Sequence, residues 1–193
     1  MSRKIKILET ARKLFNESNT QAVTTNHIAK AMGISPGNLH YHYKNREEII
    51  RFLYREMREK MTLSVEELPE SLEEVGEHQK VLIGIQWEYR FFFREILFLF
   101  SRDAKLEQDY IADTIAHRKR IKLSMQGLIE SGELEIQDTK TLDHLVDSIL
   151  MAWQFYTSYI QTLGKALSRK SAEETVQYTV NAILQFKTQK VTL

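Results

Sequence analysis

Between Thr24 and Ile50 the chain reads TTNHIAKAMGISPGNLHYHYKNREEII, and most residues there that can do chemistry are hydrogen-bond donors or cations. Asn38 offers an amide of the kind that pairs with base edges. His40, Tyr41 and His42 can reach bases or phosphates. Lys44 and Arg46 place positive charge at the start of a following helix, whose free amides also favour phosphate. His40 and His42 are two residues apart and diverge on a helix, and neither has a third ligand at metal spacing. The stretch therefore points to a polyanion and not to a metal.

A second group of candidates lies in the body. Trp87, Phe91, Phe92, Phe98, Trp153, Tyr156 and Tyr159 are more aromatic than packing alone requires, so Trp87, Phe91, Phe98, Trp153 and Tyr156 are candidate pocket residues. Arg90 and Arg94 stand four apart inside the most apolar segment. They either pair with acids such as Glu88 and Glu95 or supply counter-charge for an anionic ligand head group.

These residues need helices to hold them. Ile7, Leu8, Ala11, Leu14 and Phe15 share one face of an amphipathic helix. Thr24 or Thr25 caps a short second helix that Gly33 ends. Ser35-Pro36 starts a third, with serine as the cap and proline in the first turn. Ala29 lets the second and third helices approach, and Gly33 makes the turn between them, which is a helix-turn-helix arrangement. Asn45 caps a fourth helix running to about Ser64. Leu68-Pro69 breaks the chain, and Glu70, Glu73 and Glu74 mark the next start.

Residues 81–100, VLIGIQWEYRFFFREILFLF, have the length of a membrane span. Four ionisable residues inside that segment argue for a buried helix instead. Further helices are expected over 104–130, from Asp138 or Thr139 to about Leu163, and from a capping box of Ser171 with Glu174. The predicted fold is all-α, with about nine helices. Two apolar stripes, Leu142 to Tyr156 and Val176 to Leu184, suit either internal core or a helix bundle between subunits.

Composition narrows the function. The chain has 193 residues, two prolines, seven glycines and no cysteine. Cysteine nucleophiles, thiolate metal sites and disulfides are excluded. Sparse proline and glycine suit long helices. No apolar signal core opens the sequence. The net charge of +1 hides an asymmetry, because residues 1–60 carry +6 and the remainder −5. A basic module on an acidic body suits nucleic-acid binding. No glycine-rich phosphate loop or HExxH pattern supports an enzyme. No cofactor and no metal are expected.

In these residues the sequence resembles the TetR family of bacterial transcriptional regulators. The resemblance covers about residues 5–55. It rests on Ala11-Leu14-Phe15, Thr24-Thr25, Ile28-Ala29, Gly33-Ile34-Ser35, Gly37, Leu39 and Tyr41-His42-Tyr43-Lys44-Asn45-Arg46. It implies a three-helix DNA-binding domain, residues 1–47, and a larger helical ligand-binding and dimerisation domain, residues 48–193. It also implies DNA contacts at Thr25, Asn26, Ser35, Pro36, Gly37, Asn38, His40, Tyr41, His42, Lys44 and Arg46. His40 replaces the family's usual tyrosine, Arg46 a usual lysine and Asn19 a usual glycine. The implied partners are double-stranded DNA, a second copy of the chain through about residues 139–187, and a small-molecule effector, with no membrane. The expected role is a cytoplasmic repressor released from a pseudo-palindromic operator by an apolar or amphipathic ligand. The alternative keeps the DNA reader and gives the body a protein partner.

Overall fold

The structure is a computed structural model and describes residues 2–64 and 67–188. Ten helices are present among the described residues: α1 (Arg3–Glu17), α2 (Thr25–Ala31), α3 (Pro36–His42), α4 (Arg46–Ser64), α5 (Leu72–Glu88), α6 (Arg90–Arg94), α7 (Ile96–Arg102), α8 (Ala104–Glu130), α9 (Thr139–Thr162) and α10 (Arg169–Leu184). The all-α reading therefore holds.

Local signals set many of the boundaries. Thr24 caps α2, Ser35 caps α3 with Pro36 in the first turn, and Asp138 caps α9 through Thr141. Asn45 accepts the Glu48 amide at 2.8 Å at the start of α4. Gly33, Gly132 and Gly164 adopt positive φ where helices end, a conformation that glycine enters at low cost.

Two expectations need correction. The cap of α10 is Ser168, whose hydroxyl accepts the Ser171 amide. Ser171 therefore fills the third helical position and is not the cap. The apolar segment 81–100 is not one buried helix, and this raises the count from about nine to ten. It breaks at Tyr89 and Glu95, where the backbone leaves helical geometry. The cause is tertiary. Asn16 of α1 donates to the Glu88 carbonyl at 2.8 Å and accepts the Phe91 amide at 3.0 Å. One side-chain amide thus satisfies two backbone groups that an unbroken helix would pair internally.

One apolar core runs from Ile7, Phe15, Ile28, Leu39 and Tyr43 in the first three helices, through Leu53 and Met57 of α4, to Phe91, Phe92, Phe93 and Trp153. A second, around Leu128, Val146, Ile149 and Ile183, joins α8, α9 and α10. No described helix is long and apolar enough to cross a membrane.

Candidate nucleic-acid interface and the cavity behind it

Helices α2 and α3 form the helix-turn-helix. Ile28, Ala29 and Leu39 are buried between them and α1, so each helix turns its polar residues outward. Tyr43, at the end of α3, is buried edge-on to Phe52 of α4, with ring centroids 5.3 Å apart. Tyr41 is 85 % exposed, the opposite fate for a tyrosine two residues away. Packing therefore accounts for Tyr43 and not for Tyr41. Ser35, Pro36, Gly37, His40 and Lys44 are also exposed, while Thr25, Asn38 and His42 are half-buried and Asn26 is exposed. Among the described residues no group of three or more His, Asp or Glu side chains could hold a metal.

Arg46 stands apart from this set. Its guanidinium donates to the Thr20 carbonyl at 2.7 Å and to Glu47 at 3.0 Å, and its side chain is 19 % exposed. The structure thus fixes it between α1 and α4. Lys44 is held through its backbone instead. Its amide donates to Glu48 at 2.6 Å, and its carbonyl lies 3.2 Å from the His40 ring nitrogen.

The body residues fall into two places. Phe91 packs its ring against Phe15, 5.3 Å between centroids. Arg94 donates to the carbonyls of Phe15 and Ser18, the unpaired end of α1, and also reaches Glu95. Arg90 lies over the Trp87 ring at 4.4 Å and donates to its carbonyl. Phe98 sits beside Ile50 and Arg46 at the start of α4. Tyr156 contacts Glu174 and Tyr178 of α10. Six of the seven candidate pocket residues therefore stand at the joint between α1 and α5–α7, at the foot of α4 or, for Tyr156 of α9, against α10. Only Trp153 reaches the main cavity.

That cavity has a volume of about 530 Å³. Its wall comes from α4 (Tyr54, Met57, Arg58, Met61, Thr62), α8 (Tyr110, Asp113, Thr114, His117, Arg120), and Leu82, Phe93, Trp153 and Gln154. Asp113 accepts the Tyr54 hydroxyl at 2.5 Å and lies 3.4 Å from Arg58, which latches α4 to α8. Burial and the Asp113 hydrogen bond push the Tyr54 phenol well above the ordinary tyrosine range. His117 stands edge-on to Trp153 at 5.4 Å, and burial, then the Arg120 charge, pull its pKa below the usual histidine value. The Trp153 indole nitrogen is buried without a partner among the described residues.

Sequence reasoning missed the α4 and α8 walls. A signal existed on α8, where Tyr110, Asp113, Thr114 and His117 follow i, i+3, i+4, i+7 and bring polar groups to one face. On α4 the polar and apolar residues read as an ordinary amphipathic helix.

Known proteins share the family models and the fold. Residues 7–52 match the family model described as bacterial regulatory proteins, tetR family. Residues 51–187 match the TetR model described as a bacterial transcriptional repressor. No curated protein sequence matches. A TetR-family transcriptional regulator from Marinobacter aquaeolei VT8 superposes with a TM-score of 0.90 at 25 % identity, over 98 % of this chain and 93 % of that one. The TetR-family regulator PfmR from Thermus thermophilus gives 0.71 at 19 % identity, over 93 % and 97 %. The ketosteroid transcriptional regulator KstR2 of Mycobacterium tuberculosis gives 0.67 at 18 % identity, over 97 % and 96 %. With a helix-turn-helix ahead of a cavity-bearing helical body, and family models matching both parts, the chain belongs to the TetR family of bacterial transcriptional regulators.

Proposed function

We propose that the protein is a dimeric repressor that leaves its operator when a small apolar or amphipathic molecule fills the cavity between α4 and α8. The observation that carries this reading is the span of α4. It starts at Arg46, next to the reader, and its later turns form one wall of the 530 Å³ cavity. That volume suits a small molecule. A ligand that pushes Met57 and Met61, or competes for Asp113, shifts α4 and with it the spacing of two readers in a dimer. Repression is relieved because the ligand favours the wrong-spacing state, with a coupling of about 1–3 kcal/mol.

The DNA-facing set in this reading is Thr25, Asn26, Ser35, Pro36, Gly37, Asn38, His40, Tyr41, His42 and Lys44, with residues 1–47 acting as the reader and 48–193 as the sensor. Two-fold symmetry sets the groove sites about one helical turn, ~34–36 Å, or a multiple apart. The dimer forms through α9 and α10, where Tyr159, Leu163, Tyr178 and Leu184 are exposed. Such work on chromosomal DNA belongs in the cytoplasm.

The test uses the full chain, duplexes from its own gene neighbourhood and a panel of apolar and amphipathic compounds. Compounds that raise the melting temperature are expected to release the duplex. Stabilising compounds that leave DNA binding unchanged would refute the effector role, and no bound duplex at low salt would refute the reader.

One observation favours a protein partner as a second reading. Leu97, Ile111, Ile115 and Phe155 line an apolar groove outside the main cavity, with Leu97 71 % and Ile115 65 % exposed. If Ile115→Asp leaves regulation of the target genes in cells untouched, this reading is removed.

A further inference from the structure

Two residues in the first turn of α1 reach the reading helix and its end. Arg3 Nη1 donates to Asn38 Oδ1 at 3.4 Å, and the Tyr43 hydroxyl donates to the Lys4 carbonyl at 3.4 Å. These contacts tie consecutive residues of α1 to opposite ends of α3. Ser2 caps α1 through the Ile5 amide, which fixes the backbone that carries Arg3. Ser35 accepts the Asn38 backbone amide at 3.2 Å, which fixes the other partner. Arg3 is exposed, and its contact with Asn38 sets it beside a residue expected to face DNA.

We infer that Arg3 and Asn38 read a base as one unit and that the unit selects guanine. An asparagine alone pairs with adenine in a two-bond pattern, its Nδ2 donating to N7 and its Oδ1 accepting from N6. Arg3 takes one of the two Oδ1 lone pairs, so an adenine N6 donor would have to share that oxygen with the guanidinium. Asn38 then presents its NH2, and Arg3 presents the rest of its fork, which has no other partner among the described residues. A surface on which donors outnumber the one remaining acceptor fits best an edge made only of acceptors. In the major groove that edge is guanine, with O6 and N7. Adenine sets its N6 donor against the guanidinium. The inference rests on the DNA-reading function and adds a residue outside the helix-turn-helix to it.

The experiment is binding-site selection from a randomised duplex pool with the full-length protein, followed by affinities on duplexes that differ at the chosen position. Wild type is expected to select guanine there, at least about fivefold over adenine. Arg3→Ala is expected to bring that ratio below about twofold by restoring adenine, with other positions unchanged. Arg3→Lys keeps the charge but not the fork, so overall affinity stays within a few fold while the guanine preference falls. Asn38→Ala is expected to lose guanine preference without gaining adenine. If Arg3→Ala weakens every duplex equally and leaves the base profile intact, Arg3 is a phosphate contact and the inference fails alone. If wild type selects no sequence, the reading of DNA fails and takes the inference with it.

Discussion

Thr20 places its hydroxyl 2.6 Å and its backbone amide 3.0 Å from the Glu95 carboxylate. Thr20 is fully buried and follows α1, and Glu95 is the second break in the apolar segment. On its other side the Thr20 carbonyl accepts Arg46. One residue therefore ties α7, α1 and the start of α4 together. Thr20→Val keeps the shape and the amide but removes a hydrogen bond to a charge. Stability is expected to fall by about 1.5–3 kcal/mol, read as a lower urea midpoint with an unchanged slope. An unchanged midpoint would show that this contact contributes nothing net.

Lys44 and Arg46 are both cations beside the reading helix, yet the structure separates their effects. Lys44→Ala removes an exposed charge. It is expected to weaken all duplexes alike and to shallow the salt dependence by about 1 log unit per log unit of salt. Arg46→Ala removes a charged hydrogen bond to the Thr20 carbonyl and is expected to cost about 1.5–3 kcal/mol of stability. Its salt slope is expected to stay at the wild-type value. A shallower slope for Arg46→Ala would return it to the phosphate contacts.

The contrast shows what could be read from residues alone. Ser35-Pro36, Asn45 and Asp138 act on their own next turns, so their boundaries were legible. The helix-turn-helix was legible because Gly33, Ala29 and Leu39 form one local pattern. The breaks at Tyr89 and Glu95 were not, because their causes, Asn16 and Thr20, lie about 75 residues away in sequence. Arg90 and Arg94 read as either partners of nearby acids or ligand counter-charges, and Arg94 does reach Glu95 at 3.1 Å. Their other acceptors are the backbone carbonyls of Trp87, Phe15 and Ser18, which no side-chain pattern announces. The cavity was hidden because its walls come from helices far apart in sequence, each of which reads as ordinary.

His117 gives the body a pH dependence. Around it in the cavity wall stand Arg58, Asp113, Tyr110 and Arg120. Burial, and then Arg120, keep its folded pKa below the ordinary value of about 6.5. The unfolded chain therefore binds the proton more readily than the folded one. Stability holds its full value above about pH 6.5, declines as pH falls below it, and levels off below the folded pKa. Melting temperatures at about pH 7.5, 6.5 and 5.5 are expected to show this loss, and His117→Asn is expected to flatten it relative to wild type. Equal pH profiles for the two proteins would mean that other groups carry the dependence.

The latch of Tyr54 on Asp113 gives the most direct handle on the proposed release. Tyr54→Phe keeps the ring stacked on Phe92, centroids 5.2 Å apart, and removes only the hydroxyl bond to the carboxylate. Asp113 retains Arg58 at 3.4 Å, so the charge is not stranded. If the latch holds α4 in the DNA-competent position, its loss moves part of the population to the released state before any ligand arrives. Operator affinity is then expected to fall about five- to tenfold, and stabilising compounds are expected to release DNA at lower concentration. Met57→Leu, a volume-conserving change in the same wall, is expected to leave operator affinity near wild type. Unchanged operator affinity with an altered melting temperature would mean that the latch only stabilises the body and that α4 carries the signal through other contacts.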